Sequence, residues 1–146
     1  MNISLVHYQI SYQIHHTDHT LGLLFADALR PLGITAAQVG VLLHLDRFPG
    51  VAMPHLVTAV AVTPQTMHRI IISLEKHDWI ERRRRADNKK TYYISLTSTG
   101  KIMLQRAEAV LKSSQDELKQ HFTSKELKTL HDLLQRFEAT IKGNMK

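Results

Sequence analysis

Six of the 19 lysines and arginines in this chain fall between Arg82 and Lys90, as Arg82-Arg83-Arg84-Arg85 and Lys89-Lys90. Two short runs of strand-forming residues flank them, Ile80 to Arg84 and Thr91 to Leu96, the second holding Thr91, Tyr92, Tyr93 and Ile94. Between the runs lies Arg85-Ala86-Asp87-Asn88-Lys89-Lys90, with turn-forming residues at its centre. The pattern predicts an antiparallel hairpin with a basic tip. Charge of one sign at this density is a solvated surface or a grip for a polyanion, and the neighbouring sequence decides between them.

That neighbour is a helix with a strong start signal. Thr63 is a favoured N-cap, and Pro64 follows at the first helical position, where its missing N–H costs nothing. Met67, Ile70, Ile71 and Leu74 recur at helical spacing and form a buried stripe, which leaves Gln65, Thr66, His68, Arg69 and Ser73 pointing outward. The helix should run to about His77. A short helix from about Pro54 to Val60 precedes it. Before that, Thr35 and Gln38 make a capping box for a helix that stops at Pro49-Gly50.

Long helices flank this central part. The first should run from about Ile3 to Leu29, with Tyr8, Tyr12, His15, His19, Leu23 and Ala26 along one face, until Pro31 and Gly33 end it. Thr97 opens a fifth helix with Leu104, Ala107, Leu111, Ser114 and Leu118 in heptad-like register. Thr123 and Glu126 form a second capping box, opening a sixth helix with Leu127, Leu130, Leu134, Phe137 and Ile141 on one stripe. The chain therefore reads as mainly α with a small β-hairpin: six helices, the hairpin inserted after the fourth. This is the pattern of a winged helix-turn-helix with dimerisation helices at both ends. One domain is expected over 1–146, with the DNA-binding lobe at 35–100 and dimerisation helices at 1–30 and 101–146. The stripes on the first, fifth and sixth helices are more apolar surface than one small winged domain can cover, so a homodimer is expected.

Composition narrows the function classes. The formal net charge is +6, and the absence of cysteine excludes disulfides, thiolate metal sites and thiol redox switches. The first residues carry no basic segment followed by an apolar core, and no apolar run approaches the ~20 residues of a membrane span. A cytoplasmic protein without a membrane partner is expected. G-x-S-x-G, P-loop and H-E-x-x-H patterns are absent and no carboxylate pair suggests a cleft, so an enzyme is not expected.

A capped helix followed by a basic hairpin suits duplex DNA. Gln65 can pair bidentately with adenine, and Arg69 with guanine or a phosphate. Thr63, Thr66 and the first-turn N–H groups can hold phosphate at the positive end of the helix dipole. The expected DNA-binding residues are Thr63, Pro64, Gln65, Thr66, His68, Arg69 and Ser73 on the helix, and Arg84, Arg85, Asn88, Lys89 and Lys90 on the hairpin.

Three segments in order resemble the MarR family of bacterial transcription regulators. Leu29 to Leu42 is similar to the family's L-x-x-x-G-[IL]-T-x-x-Q-x-x-V-L junction, Thr63 to Glu75 to its recognition helix T-x-x-T-[VM]-x-R-x-[IV]-x-x-L-E, and Ile94 to Gly100 to its exit [IV]-x-L-T-x-x-G. The likeness covers nearly the whole chain. It implies a dimeric winged helix-turn-helix regulator reading a near-palindrome, with interleaved terminal helices. Two positions depart from the family's pattern. Asn88-Lys89-Lys90 stands where D-R-R is usual, so Lys90 replaces the wing arginine and keeps its charge without the planar fork. Asp78 stands where a glycine is common.

Family members commonly respond to small phenolic or other aromatic acids bound between the dimer helices and the DNA-binding lobe. The resemblance thus implies a small organic effector, with His15, His19 and His44 as candidate polar groups and no cofactor. His15 and His19 also have the i, i+4 spacing of a metal pair, so a zinc-responsive regulator of the same fold is one alternative, although no metal site is assigned. A winged-helix protein-interaction module that does not read DNA is another.

Overall fold

The computed structural model describes residues 3–116 and 118–144, with side chains described from residue 8. Among them are seven α-helices, one 3-10 turn and three strands: α1 (Ile3–Leu29), the 3-10 turn Arg30–Leu32, α2 (Ala36–Arg47), β1 (Val51–Ala52), α3 (Met53–Val60), α4 (Pro64–Lys76), β2 (Ile80–Arg84), β3 (Tyr92–Leu96), α5 (Ser98–Ser114), α6 (Leu118–His121) and α7 (Ser124–Asn144). The chain divides into two compact units, residues 1–111 and 112–146. No single helix among the described residues is long and apolar enough to cross a membrane.

In the first unit, local signals place the helix ends. Gly33 ends the 3-10 turn at φ +65°, a left-handed conformation that a side chain disfavours. Thr35 and Gln38 close the expected capping box, and the Gln38 carboxamide accepts from the Thr35 N–H at 2.8 Å. The core collects Val41, Leu42 and Leu45 from α2, Leu56 from α3, Met67, Ile71 and Leu74 from α4, and Ile80 and Ile94 from the sheet. This core holds α4 by its apolar stripe and leaves the opposite face to solvent.

The expected two-stranded hairpin is the larger part of a three-stranded antiparallel sheet, in the order β1-β3-β2. Val51 pairs with Ile94 and Ala52 with Tyr93. A two-residue strand has no readable alternation, and only its pairing with β3 defines it. In the hairpin itself Ile80 faces Leu96 and Arg84 faces Tyr92, so β3 begins one residue later than the sequence suggests.

The turn between α3 and α4 carries strain. Ala61 ends α3 at φ 54° and ψ 44°, in the left-handed region, while donating its N–H to the Val57 carbonyl. Ala61→Gly should therefore raise stability by about 0.5–1 kcal/mol. A thermal melt checks this, and a midpoint unchanged or lowered would contradict it. Asp78 has φ 57°, the same conformation, at the position where the family usually has glycine.

The heptad-like register expected to carry the fifth helix through Leu118 is broken. α5 ends at Ser114 and Leu118 begins the short α6. The N–H groups of Gln115 and Asp116 bond to carbonyls three residues back, at 3.2 and 3.1 Å, instead of continuing the helical ladder. Ser113, Ser114, Gln115 and Asp116 occupy this stretch, and serine and aspartate side chains compete for backbone groups. In the second unit the Thr123–Glu126 box opens α7 as expected, with Thr123 N–H to Glu126 at 2.8 Å. Backbone and hydroxyl hydrogen bonds from Thr123 hold the Glu126 carboxyl below the usual carboxylate range.

Candidate DNA-binding face

The outer face of α4 follows from its cap and its stripe. Thr63 Oγ1 accepts from the Thr66 N–H at 3.2 Å and donates to Thr66 Oγ1 at 2.9 Å. Both hydroxyls thus help shape the helix start. The first turn holds no acidic residue, so the positive end of the helix dipole stays available to an anion. Gln65, His68 and Arg69 are exposed. Arg69 pairs with no carboxylate among the described residues.

Ser73 corrects one expectation. It does not point outward: it is half-buried, and its Oγ accepts from the Gln38 carboxamide at 3.0 Å. Gln38, itself only 9% exposed, therefore caps its own helix and ties α2 to α4. Ile72 takes the outward place, 49% exposed. Single-sequence periodicity placed the stripe correctly and missed the angle of its edge, because α2 packs against one flank of α4.

The wing sorts its cations. Arg82 Nε donates to Glu75 at 2.9 Å, joining the wing base to α4. That hydrogen bond makes the Arg82 guanidinium hold its proton more tightly than usual. Arg83 pairs with Glu81 at 2.9 Å. The remaining wing cations, Arg84, Arg85, Lys89 and Lys90, are exposed and pair with no carboxylate among the described residues. The Arg84 guanidinium donates to the Tyr92 hydroxyl at 2.7 Å and lies 4.5 Å from that ring's centre, while Arg85 lies 4.7 Å from the centre of Tyr93.

Asn88 has partners within the wing. Its carboxamide oxygen accepts from the N–H groups of Lys90 at 3.1 Å and Thr91 at 3.2 Å, and its nitrogen donates to Thr91 Oγ1 at 3.1 Å. The side chain builds the wing turn. The helix and the wing lie side by side: His68 of α4 lines one cavity of about 350 Å³ with Arg82, Lys90 and Tyr92.

The histidine candidates separate. His15 and His19 are exposed on α1. His44, on α2, is half-buried, with its ring 5.0 Å from that of Phe48. It lines a cavity of about 430 Å³ with Gly40, Arg47 and Val60, and neither His15 nor His19 is in that lining. No group of three or more potential metal ligands occurs among the described residues.

Residues 32–90, which span the helix-turn-helix and most of the wing, match the sequence model of the MarR family. Over this segment the chain is similar to the MarR family. The HTH-type transcriptional repressor Rv2887 of Mycobacterium tuberculosis is 24% identical over 127 residues, covering 87% of this chain and 91% of the repressor. The fold matches that of a mutant MarR of E. coli crystallised with operator DNA, at a TM-score of 0.79 and 23% identity, over 94% of this chain and 99% of that one. It also matches the M. tuberculosis MarR family protein Rv2887 in complex with p-aminosalicylic acid, at a TM-score of 0.72 and 24% identity, over 88% and 97% of the two chains.

The sites that sequence reading missed are tertiary. Tyr92 and Tyr93 read as strand formers, and nothing local marks them as partners of arginines. The one available signal was the hairpin register, which places Arg84 opposite Tyr92.

Proposed function

We propose that this chain is a MarR-type repressor that binds duplex DNA as a homodimer and reads a near-palindrome. The observation that carries this reading is the exposed Gln65-His68-Arg69 face of α4 beside four wing cations with no acidic partner among the described residues. α4 enters the major groove: Gln65 and Arg69 meet base edges, and the first-turn N–H groups with Thr63, Pro64 and Thr66 sit at the phosphates. Arg84, Arg85, Lys89 and Lys90 grip the strands alongside, in the minor groove or on the backbone.

Uncovered apolar side chains support the dimer. Tyr8, Tyr12 and Leu23 on α1 are 71%, 60% and 58% exposed, and Leu130, Leu133 and Leu134 on α7 are 51%, 47% and 42% exposed. A second copy covers them through residues 1–30 and 101–146, leaving 35–100 as the DNA-binding lobe. The twofold axis then sets two recognition helices about one helical turn of DNA apart. A small aromatic or phenolic acid relieves binding. The cavity that His44 and Arg47 line supports an acid, and the similar protein Rv2887 has been crystallised with p-aminosalicylic acid.

Selection of bound sequences from random duplex DNA should return a site with twofold symmetry. Mobility shifts on that site should weaken by about a thousandfold or more between roughly 50 and 200 mM salt if six or more phosphates are neutralised. A selection that enriches nothing, with no binding at low salt, rejects the reading.

A further inference from the structure

The wing holds two kinds of arginine. Arg82 and Arg83 each meet a carboxylate, Glu75 and Glu81, and Arg82 also lies 5.5 Å from the centre of the Tyr92 ring. Arg84 and Arg85 meet aromatic rings, Tyr92 and Tyr93, at 4.5 and 4.7 Å from the ring centres. The difference matters for a partner that is itself an anion. A carboxylate orients a guanidinium and cancels its charge. A phenol ring orients it through the quadrupole and the hydroxyl lone pair, and leaves the charge in place.

We propose that Tyr92 and Tyr93 are positioning residues that hold Arg84 and Arg85 ready for the DNA backbone without neutralising them. Arg84 is the better braced of the two, since its guanidinium both stacks on Tyr92 and donates to the phenol oxygen at 2.7 Å. Tyr92 faces Arg84 directly across the β2–β3 ladder, so the brace is built into the strand register. One brace lies near each face of the hairpin, because successive side chains alternate. Free arginine must give up rotamer freedom when it docks on phosphate, and a braced one has already given up part of it. Lys89 and Lys90 make no such ring contact among the described residues, so they supply charge from flexible stems.

This inference rests on the DNA-binding reading above, and the test separates the two. Affinity would be measured by fluorescence anisotropy on one fixed duplex carrying the selected site, across a salt series, with circular dichroism melts as folding controls. Tyr92→Leu should weaken binding about 3- to 10-fold at an unchanged salt slope, since Arg84 still reaches phosphate. Tyr92→Glu should weaken it further and lower the salt slope by about one, since the new carboxylate cancels a charge. In an Arg84→Ala background, Tyr92→Leu should cost nothing more. Equal losses from Tyr92→Leu in both backgrounds, or full affinity in Tyr92→Glu, would overturn the proposal and leave the DNA-binding reading intact. If Tyr92→Leu does not fold, Tyr92→Phe decides in the same way, with a loss of about 2- to 3-fold that must disappear when Arg84 is alanine. A parent protein that binds no duplex ends both.

Discussion

Gly100→Ala should destabilise the protein by about 3–5 kcal/mol, enough to remove a large part of the stability of an ordinary domain. Gly100 lies in the first turn of α5, where its N–H donates to Thr97 Oγ1 at 2.9 Å. A methyl group there would stand 2.0 Å from the Trp79 carbonyl oxygen and 2.8 Å from both the Trp79 carbonyl carbon and Leu96 Cδ1. The first two are backbone atoms and cannot swing aside. That carbonyl also accepts the Thr97 N–H at 3.1 Å, and Thr97 donates its hydroxyl to the Asp78 carbonyl at 2.6 Å. Moving α5 away therefore breaks the knot at the foot of the wing as well as the packing. The melting midpoint should fall by about 10 °C or more. A fall of less than about 2 °C would mean that the backbone relaxes freely at this point, contrary to the close approach seen here.

The second large effect is on recognition. Arg69→Ala should cost roughly 1–3 kcal/mol on the selected site and far less on random duplex. Arg69 is exposed one turn after Gln65 on the same side of α4, and no carboxylate among the described residues holds its guanidinium. Its planar fork matches the O6 and N7 acceptors of guanine, which a phosphate contact would not need. Paired substitution of Lys89 and Lys90 by alanine should act differently, weakening all duplexes alike and reducing the salt slope by about two. Competition assays with selected and scrambled duplexes distinguish the outcomes. If Arg69→Ala weakens both duplexes equally, Arg69 sits on phosphate and base reading lies elsewhere on the helix.

These two residues were not equally legible. Arg69 could be named from the sequence because Thr63-Pro64 starts the helix and the Met67-Ile70-Ile71-Leu74 stripe fixes which side faces out. Gly100 was visible as part of the strand-to-helix exit Ile94 to Gly100, and its reason was not. Trp79 is 21 positions away, and only the folded chain brings its carbonyl beneath that glycine. The intrachain partners of Ser73 and Asn88 were hidden for the same cause. Gln38, 35 residues from Ser73, claims its hydroxyl, and the turn itself claims the Asn88 carboxamide.

Most helix starts and stops, the apolar stripes and the basic hairpin were set by neighbours within a few residues, the stop of α5 at Ser114 being the one that the apolar register hid. Caps, prolines and period-3.6 spacing act at that range, so the chain alone was enough for them. Which polar groups remain free was decided by folding, since each hydrogen bond to a distant partner takes a donor or acceptor away from any ligand. That two of four adjacent arginines meet acids, and two meet tyrosine rings without an acid, belongs to that second class. It depends on the register of two strands, which the hairpin pattern hints at, and on where α4 passes them, which no local signal carries.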